Sequence, residues 1–140
     1  MVVIESAMNP MEPLLSVSAV LVGLMGLPAL AAAPIELLAG YSAQAGSVVS
    51  PARGETFFLA QHGKEWSCAS CHGTLPVQPG KHAATGKSIG ALAPAANAQR
   101  FSDPAKVEKW FRRNCNDVLG RECTAGEKAD VLSWLIGLKP

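Results

Sequence analysis

Cys68, Cys71 and His72 stand in the run Trp66-Ser67-Cys68-Ala69-Ser70-Cys71-His72-Gly73. Two thiols separated by two residues can add across the two vinyl groups of a haem, and an imidazole on the next residue can turn under the iron. The pattern therefore predicts one covalently attached haem c, with His72 as the proximal ligand. The same cysteine spacing also serves a redox dithiol or half of a zinc site. A redox pair would want a thioredoxin-like βαβ context, and zinc would want a second pair of ligands. The chain offers neither, since it shows no strand-like alternation and no second motif of that kind.

What lies opposite His72 is less direct. The four methionines are Met1, Met8, Met11 and Met25, all within a segment expected to be removed, so a thioether sixth ligand is not expected. His62, His82, Asn97, Asn114, Asn116, a lysine, or no protein group at all remain. His62 is on the stretch leading into the motif and badly placed to cross the ring, whereas His82 lies in a loop that could reach. Asn114 ends an otherwise apolar helical stripe. A buried amide there needs a partner, which the iron or a small molecule on it would supply; capping its own helix is the alternative use.

These side chains need elements to hold them. Pro34 to Gly46 fits a short helix with Ile35, Leu38 and Tyr41 or Ser42 on one side. Ser50 as N-cap and Pro51 at the first position open a second helix, running through Gly54, Phe57 and Phe58 to a stop at Gly63. Gly73 to Phe101 is rich in Gly, Pro, Ala and Thr without periodicity, a loop long enough to need a reason; covering a haem edge is one. Asp103 and Pro104 begin a helix with Val107, Trp110, Phe111 and Asn114 on one face. Thr124 and Glu127 form a capping box ahead of the stripe Val131, Trp134, Leu135 and Leu138. The pattern is that of an all-α domain of about four helices around a prosthetic group.

Leu14 to Leu30 carries no charge and is followed by Ala31, Ala32 and Ala33, the layout of a secretory signal peptide over residues 1–33. The first 13 residues hold Glu5 and Glu12 but no Lys or Arg, which is atypical. The apolar core falls slightly short of the ~20 residues of a membrane span, so a retained anchor is the alternative to cleavage. Residues 34–140 would then form the haem domain, in the periplasm. Loss of Glu5 and Glu12 takes the acidic count from 11 to 9 against 12 Lys and Arg, and two haem propionates bring the balance near neutral. Nothing in that charge favours a nucleic-acid partner, and the cluster Lys106, Lys109, Arg112 and Arg113 reads as a solvated helix face. Arg100, Arg112, Arg113 and Lys87 are possible propionate contacts, although exposed basic residues are usually just solvated. With two cysteines committed to haem in an exported chain, Cys115 and Cys123 are a natural disulfide.

Gly54-x-x-x-Phe58 with Trp134 and Leu135 resembles the crossing terminal helices of class I cytochromes c. More specifically, the stretches TGKSIGALAPAANAQRF and DPAKVEKWFRRNCNDVLGRECTAGEKADVLSWL resemble the sphaeroides haem protein family of monohaem cytochromes, over nearly all of residues 34–140. The resemblance implies that Asn114 is the sixth ligand and that Cys115 and Cys123 are disulfide-bonded. It further implies that the asparagine leaves on reduction and frees a site for oxygen, nitric oxide or other small ligands. Related cytochromes of the double-prime type use a histidine there. A dihaem cytochrome and a membrane b-type cytochrome are the redox partners the resemblance suggests. Two functions follow as expectations: single-electron transfer through the haem edge, or a gas-binding or oxygen- or nitric-oxide-reactive haem protein.

Overall fold

The computed structural model describes residues 34–140; the expected leader, its end near Ala33 and the four methionines lie outside the described residues. Five helices occupy that span: α1 Pro34–Ala45, α2 Pro51–Leu59, α3 Ala69–His72, α4 Pro104–Leu119 and α5 Ala125–Gly137. Between α3 and α4 lies a small antiparallel ribbon, β1 Gly80–Lys81 and β2 Ser88–Ile89, with Gly80 opposite Ile89 and Lys81 opposite Ser88. No described helix is long and apolar enough to cross a membrane.

Helix starts follow from local chemistry. Ser50 Oγ accepts from the Arg53 amide at 3.3 Å with Pro51 behind it, and the Asp103 carboxylate accepts from the Lys106 amide at 3.1 Å ahead of Pro104. At α5 the capping box is complete: Thr124 Oγ1 accepts from the Glu127 amide and Glu127 accepts from the Thr124 amide. Gly120 ends α4 in the left-handed conformation (φ 71°). Helix α2 stops at Leu59, earlier than the expected Gly63. Ala60 turns to extended backbone, and His62 supplies the reason: its Nε2 sits 2.8 Å from the Phe57 carbonyl, one of the acceptors the last turn leaves open.

The core is built on α5. Leu132 and Leu135 are wholly buried, and Phe58 of α2 stacks on Trp134 at 5.0 Å between ring centres. At the crossing of α2 and α5 a side chain on Gly54 would meet the Asp130 carbonyl oxygen, so only glycine permits this approach. Asp130 also receives the Ser50 amide at 2.6 Å and the Arg53 guanidinium at 2.8 and 3.0 Å. Helix α1 packs on α5 through Leu37, Leu38 and Tyr41, while Ile35, expected inside, remains exposed.

Two other expectations shift. The stripe on α4 runs through Val107, Phe111, Cys115 and Val118; Trp110 lies largely exposed beneath the Arg113 guanidinium, and Asn114 is half-buried at the border. Phe111 is drawn in by the edge of Tyr41 at 5.9 Å, and Cys115 by its disulfide, which together set the helix's rotation. The stretch 73–101 is less structureless than its composition suggests, because the His82 amide reaches the Lys87 carbonyl and the Gly86 amide the His82 carbonyl, folding 80–89 into the ribbon.

Candidate haem site

Cys68 precedes α3, and Cys71 and His72 lie within this single turn, which Gly73 ends with positive φ. Ser67 and Ser70 hydrogen-bond each other's side chain and amide across the turn, fixing the spacing of the two thiols. Behind the turn stands the α2–α5 aromatic pair: Phe58 lies 6.2 Å from the His72 ring. In front of it the ribbon is seated directly on the motif. A side chain at Gly80 would meet the Cys71 carbonyl, and the Ala83 amide donates to Cys71 Sγ at 3.2 Å. An open depression of about 430 Å³ lies along this seam, lined by Cys71, Gly80, Lys81 and Ser88 among others.

The donor set fits a haem. Burial, with the Arg100 charge adding, pushes the His72 imidazole down to about 4, so at neutral pH it is a free base, the form that ligates metal. Its Nδ1 is buried without a hydrogen-bond partner among the described residues. Both cysteines are free, and burial pushes the Cys68 thiol up to about 11, the reverse of what a reactive redox dithiol needs. No three His, Cys, Asp or Glu side chains cluster as a metal site among the described residues.

The structure also separates the residues that were candidates for the opposite side. His62 is spent on the Phe57 carbonyl and stacks on the Phe57 ring. His82 Nδ1 accepts from the Thr85 amide within its own turn, on the Cys71 side of the site. Asn97 donates to the Ala91 carbonyl and accepts from the Gln99 amide, and Asn116 is exposed. Asn114 is half-buried, and its amide bonds to no described residue. Immediately after it the Cys115–Cys123 disulfide is formed, with Cα atoms 5.6 Å apart.

Sequence reasoning missed two polar clusters that position the helices. One is Asp130, an acid within the apolar run of α5, where its company was the available signal. The other links α1, α4 and α5: Tyr41 donates to Glu108 at 2.5 Å and Lys128 to the other oxygen at 2.8 Å. Residues 41 and 108 are too far apart in the chain for any local pattern to pair them.

Residues 44–135 match the family described as a domain of unknown function (DUF1924). The chain is similar to the cytochrome c-type protein SHP of Cereibacter sphaeroides, 49% identical over 131 residues that cover 89% of this chain and 98% of that one. Among solved structures, oxidised SHP, described as an oxygen-binding cytochrome c, matches with a TM-score of 0.72 at 48% identity, covering 76% of this chain and 97% of its own. Oxidised cytochrome c'' from Methylophilus methylotrophus matches with a TM-score of 0.67 at 37% identity, covering 76% and 95%.

Proposed function

The chain belongs to the family described as a domain of unknown function (DUF1924) and, through its likeness to the cytochrome c-type protein SHP, to the haem c cytochromes, and on that premise we propose a periplasmic monohaem electron carrier whose sixth ligand, Asn114, is displaceable. Haem c supplies a one-electron iron couple when bound. Cys68 and Cys71 would hold the ring by thioethers, and His72 would ligate the iron. The observation that carries the reading of Asn114 is its isolation: among the candidate ligands weighed, it is the half-buried amide with no hydrogen-bond partner among the described residues. Dihaem and membrane b-type cytochromes are the proposed electron partners, and the charge-free run Leu14 to Leu30 supports export.

A second reading is favoured by the place of Asn114. An amide is a weak ligand, and Asn114 sits at the half-buried border of α4, so the residue can withdraw at small cost. Withdrawal would leave the ferrous iron open to oxygen or nitric oxide, and the solved relative described as oxygen-binding supports this reading. A reduced-minus-oxidised spectrum of the haem-loaded protein, with and without carbon monoxide, tests it. A carbon-monoxide-dependent change is expected in the ferrous form; a ferrous form that ignores carbon monoxide removes the gas-binding reading. Asn114→Ala is expected to alter the ferric spectrum, and an unchanged spectrum overturns the ligand assignment.

A further inference from the structure

Three of the basic side chains in the described chain have a carboxylate within ion-pair distance: Arg53, Arg121 and Lys128. Arg100 is different. Its Nε donates to the Ala91 carbonyl at 2.8 Å and its Nη2 to the Gly90 carbonyl at 2.6 Å, while Asn97 shares the Ala91 oxygen at 3.4 Å. Phe101, the next residue, is buried in the core with left-handed backbone (φ 59°), so the turn presenting Arg100 is anchored from beneath. The guanidinium is thus half-buried and pinned, yet Nη1 donates to no described residue and no described carboxylate pairs with the group within ion-pair distance.

The surrounding sequence explains the missing partner. From Trp66 to Ser102 the chain contains no Asp or Glu, while Lys81, Lys87 and Arg100 all lie in it. Carbonyls solvate a cation but do not neutralise it, and a partly desolvated charge without a counter-ion is costly. Gly90 directly follows Ile89, the ribbon partner of Gly80, and Gly80 lies against the Cys71 carbonyl, so the guanidinium is fixed to the segment seated on the haem motif. Haem carries two carboxylates, and a guanidinium with one edge fixed and the other free matches such a group in geometry and charge. Of the other basic residues weighed, Arg113 lies over Trp110, and Arg112 and Lys87 are exposed without comparable fixing.

We propose that Arg100 is the carboxylate anchor of the haem, its free edge pairing with one propionate and its charge favouring the reduced iron. This inference rests on the haem reading of Cys68, Cys71 and His72. Its test is a potentiometric titration from acid to alkaline pH of haem-loaded wild type, Arg100→Gln and Arg100→Lys. In Arg100→Gln the reduced-to-oxidised ratio at a given applied potential is expected to fall by about tenfold, or about 59 mV for a one-electron couple. The inflection from propionate ionisation should also move to higher pH. Arg100→Lys keeps the charge but loses the fork, so it should fall between the two. A merely structural arginine would move neither quantity, and superimposable profiles for wild type and Arg100→Gln overturn the proposal. Where Arg100→Gln does not fold, resonance Raman of Arg100→Lys decides: the propionate bending band should shift from its wild-type position, and an unshifted band overturns the proposal. Failure of the haem reading would look different, because the wild-type protein itself would then carry no covalently bound haem.

Discussion

Helices α4 and α5 are of similar length and join the same disulfide-closed corner, yet they are held in different ways. Helix α5 buries six of its 13 residues and packs broadly on α1 and α2; α4 buries three of its 16 and has no broad packing partner among the described elements. Helix α4 reaches the core at Val107 and Phe111 and is otherwise tied by discrete links: the Cys115–Cys123 bond, the Tyr41–Phe111 edge contact, and Glu108 between Tyr41 and Lys128. The aromatic residues behind His72 belong to the tightly packed side, whereas Asn114 rides on the lightly tied one. A covalent attachment site needs a fixed backbone. A ligand that comes off, as proposed for Asn114, gains from a support whose displacement breaks few contacts.

The largest expected effect comes from attacking the tight side. Gly54→Ala drives a methyl carbon into the Asp130 carbonyl oxygen, a backbone atom that cannot swing away, so α2 and α5 must separate. A loss of about 3 kcal/mol or more is expected, read as a large drop in Tm or in denaturation midpoint. A substitution on the lightly tied side, Asn114→Ala, should leave Tm nearly unchanged while altering the spectrum. Equal destabilisation by the two would break the contrast between the helices.

The next effect tests the main tie of α4. Replacing Cys115 and Cys123 together by Ser opens a short loop and should lower stability by about 2.5 kcal/mol in the chain-entropy picture. Thermal melts with and without reductant check it: reduction should destabilise the wild type and leave the double variant unaffected. The spacing of eight residues between the two cysteines makes the tie local, so it holds the Asn114 end of α4 rather than the helix start.

How much of this was readable beforehand divides along the same line. Short-range chemistry was readable: the caps at Ser50, Asp103 and Thr124 act within three residues and the haem motif spans five, while Gly54 at the crossing with α5 came from the resemblance to the crossing helices of class I cytochromes c. What depended on distant partners was not. Trp110 was placed inside by periodicity alone, but the rotation of α4 is set by Tyr41 and by the disulfide. The ribbon at 80–89 rests on backbone bonds around His82 and on contact with Cys71, neither of which leaves a hydrophobic period. The proposed ligand role of Asn114 rests on the family resemblance, and its lack of a partner became visible only in the fold.

The smallest effect concerns the polar tie at the start of α4, and pH separates it from the others. Tyr41→Phe removes the hydroxyl that donates to Glu108 but leaves the ring and the Lys128 pair, so about 1 kcal/mol should be lost at neutral pH. Burial, and then the hydrogen bond to Glu108, raises the Tyr41 hydroxyl above its ordinary range. A phenol raised in the folded state ionises first in the unfolded chain, so the wild type should lose stability as pH climbs past ~10, and Tyr41→Phe should lose less. Burial alone would raise Glu108, but hydrogen bonds from Lys128 and Tyr41 outweigh it and hold the carboxyl low. A depressed carboxyl stabilises the fold above its unfolded value of ~4.3 and ceases to as pH falls through the folded value. The gap between wild type and Tyr41→Phe should therefore narrow in acid, though modestly, because Glu108 is half-exposed and screened by solvent. Urea melts of both proteins at acid, neutral and alkaline pH give the comparison. A gap that stays constant across all three would mean that α4 is tied at its start by the Tyr41 ring alone.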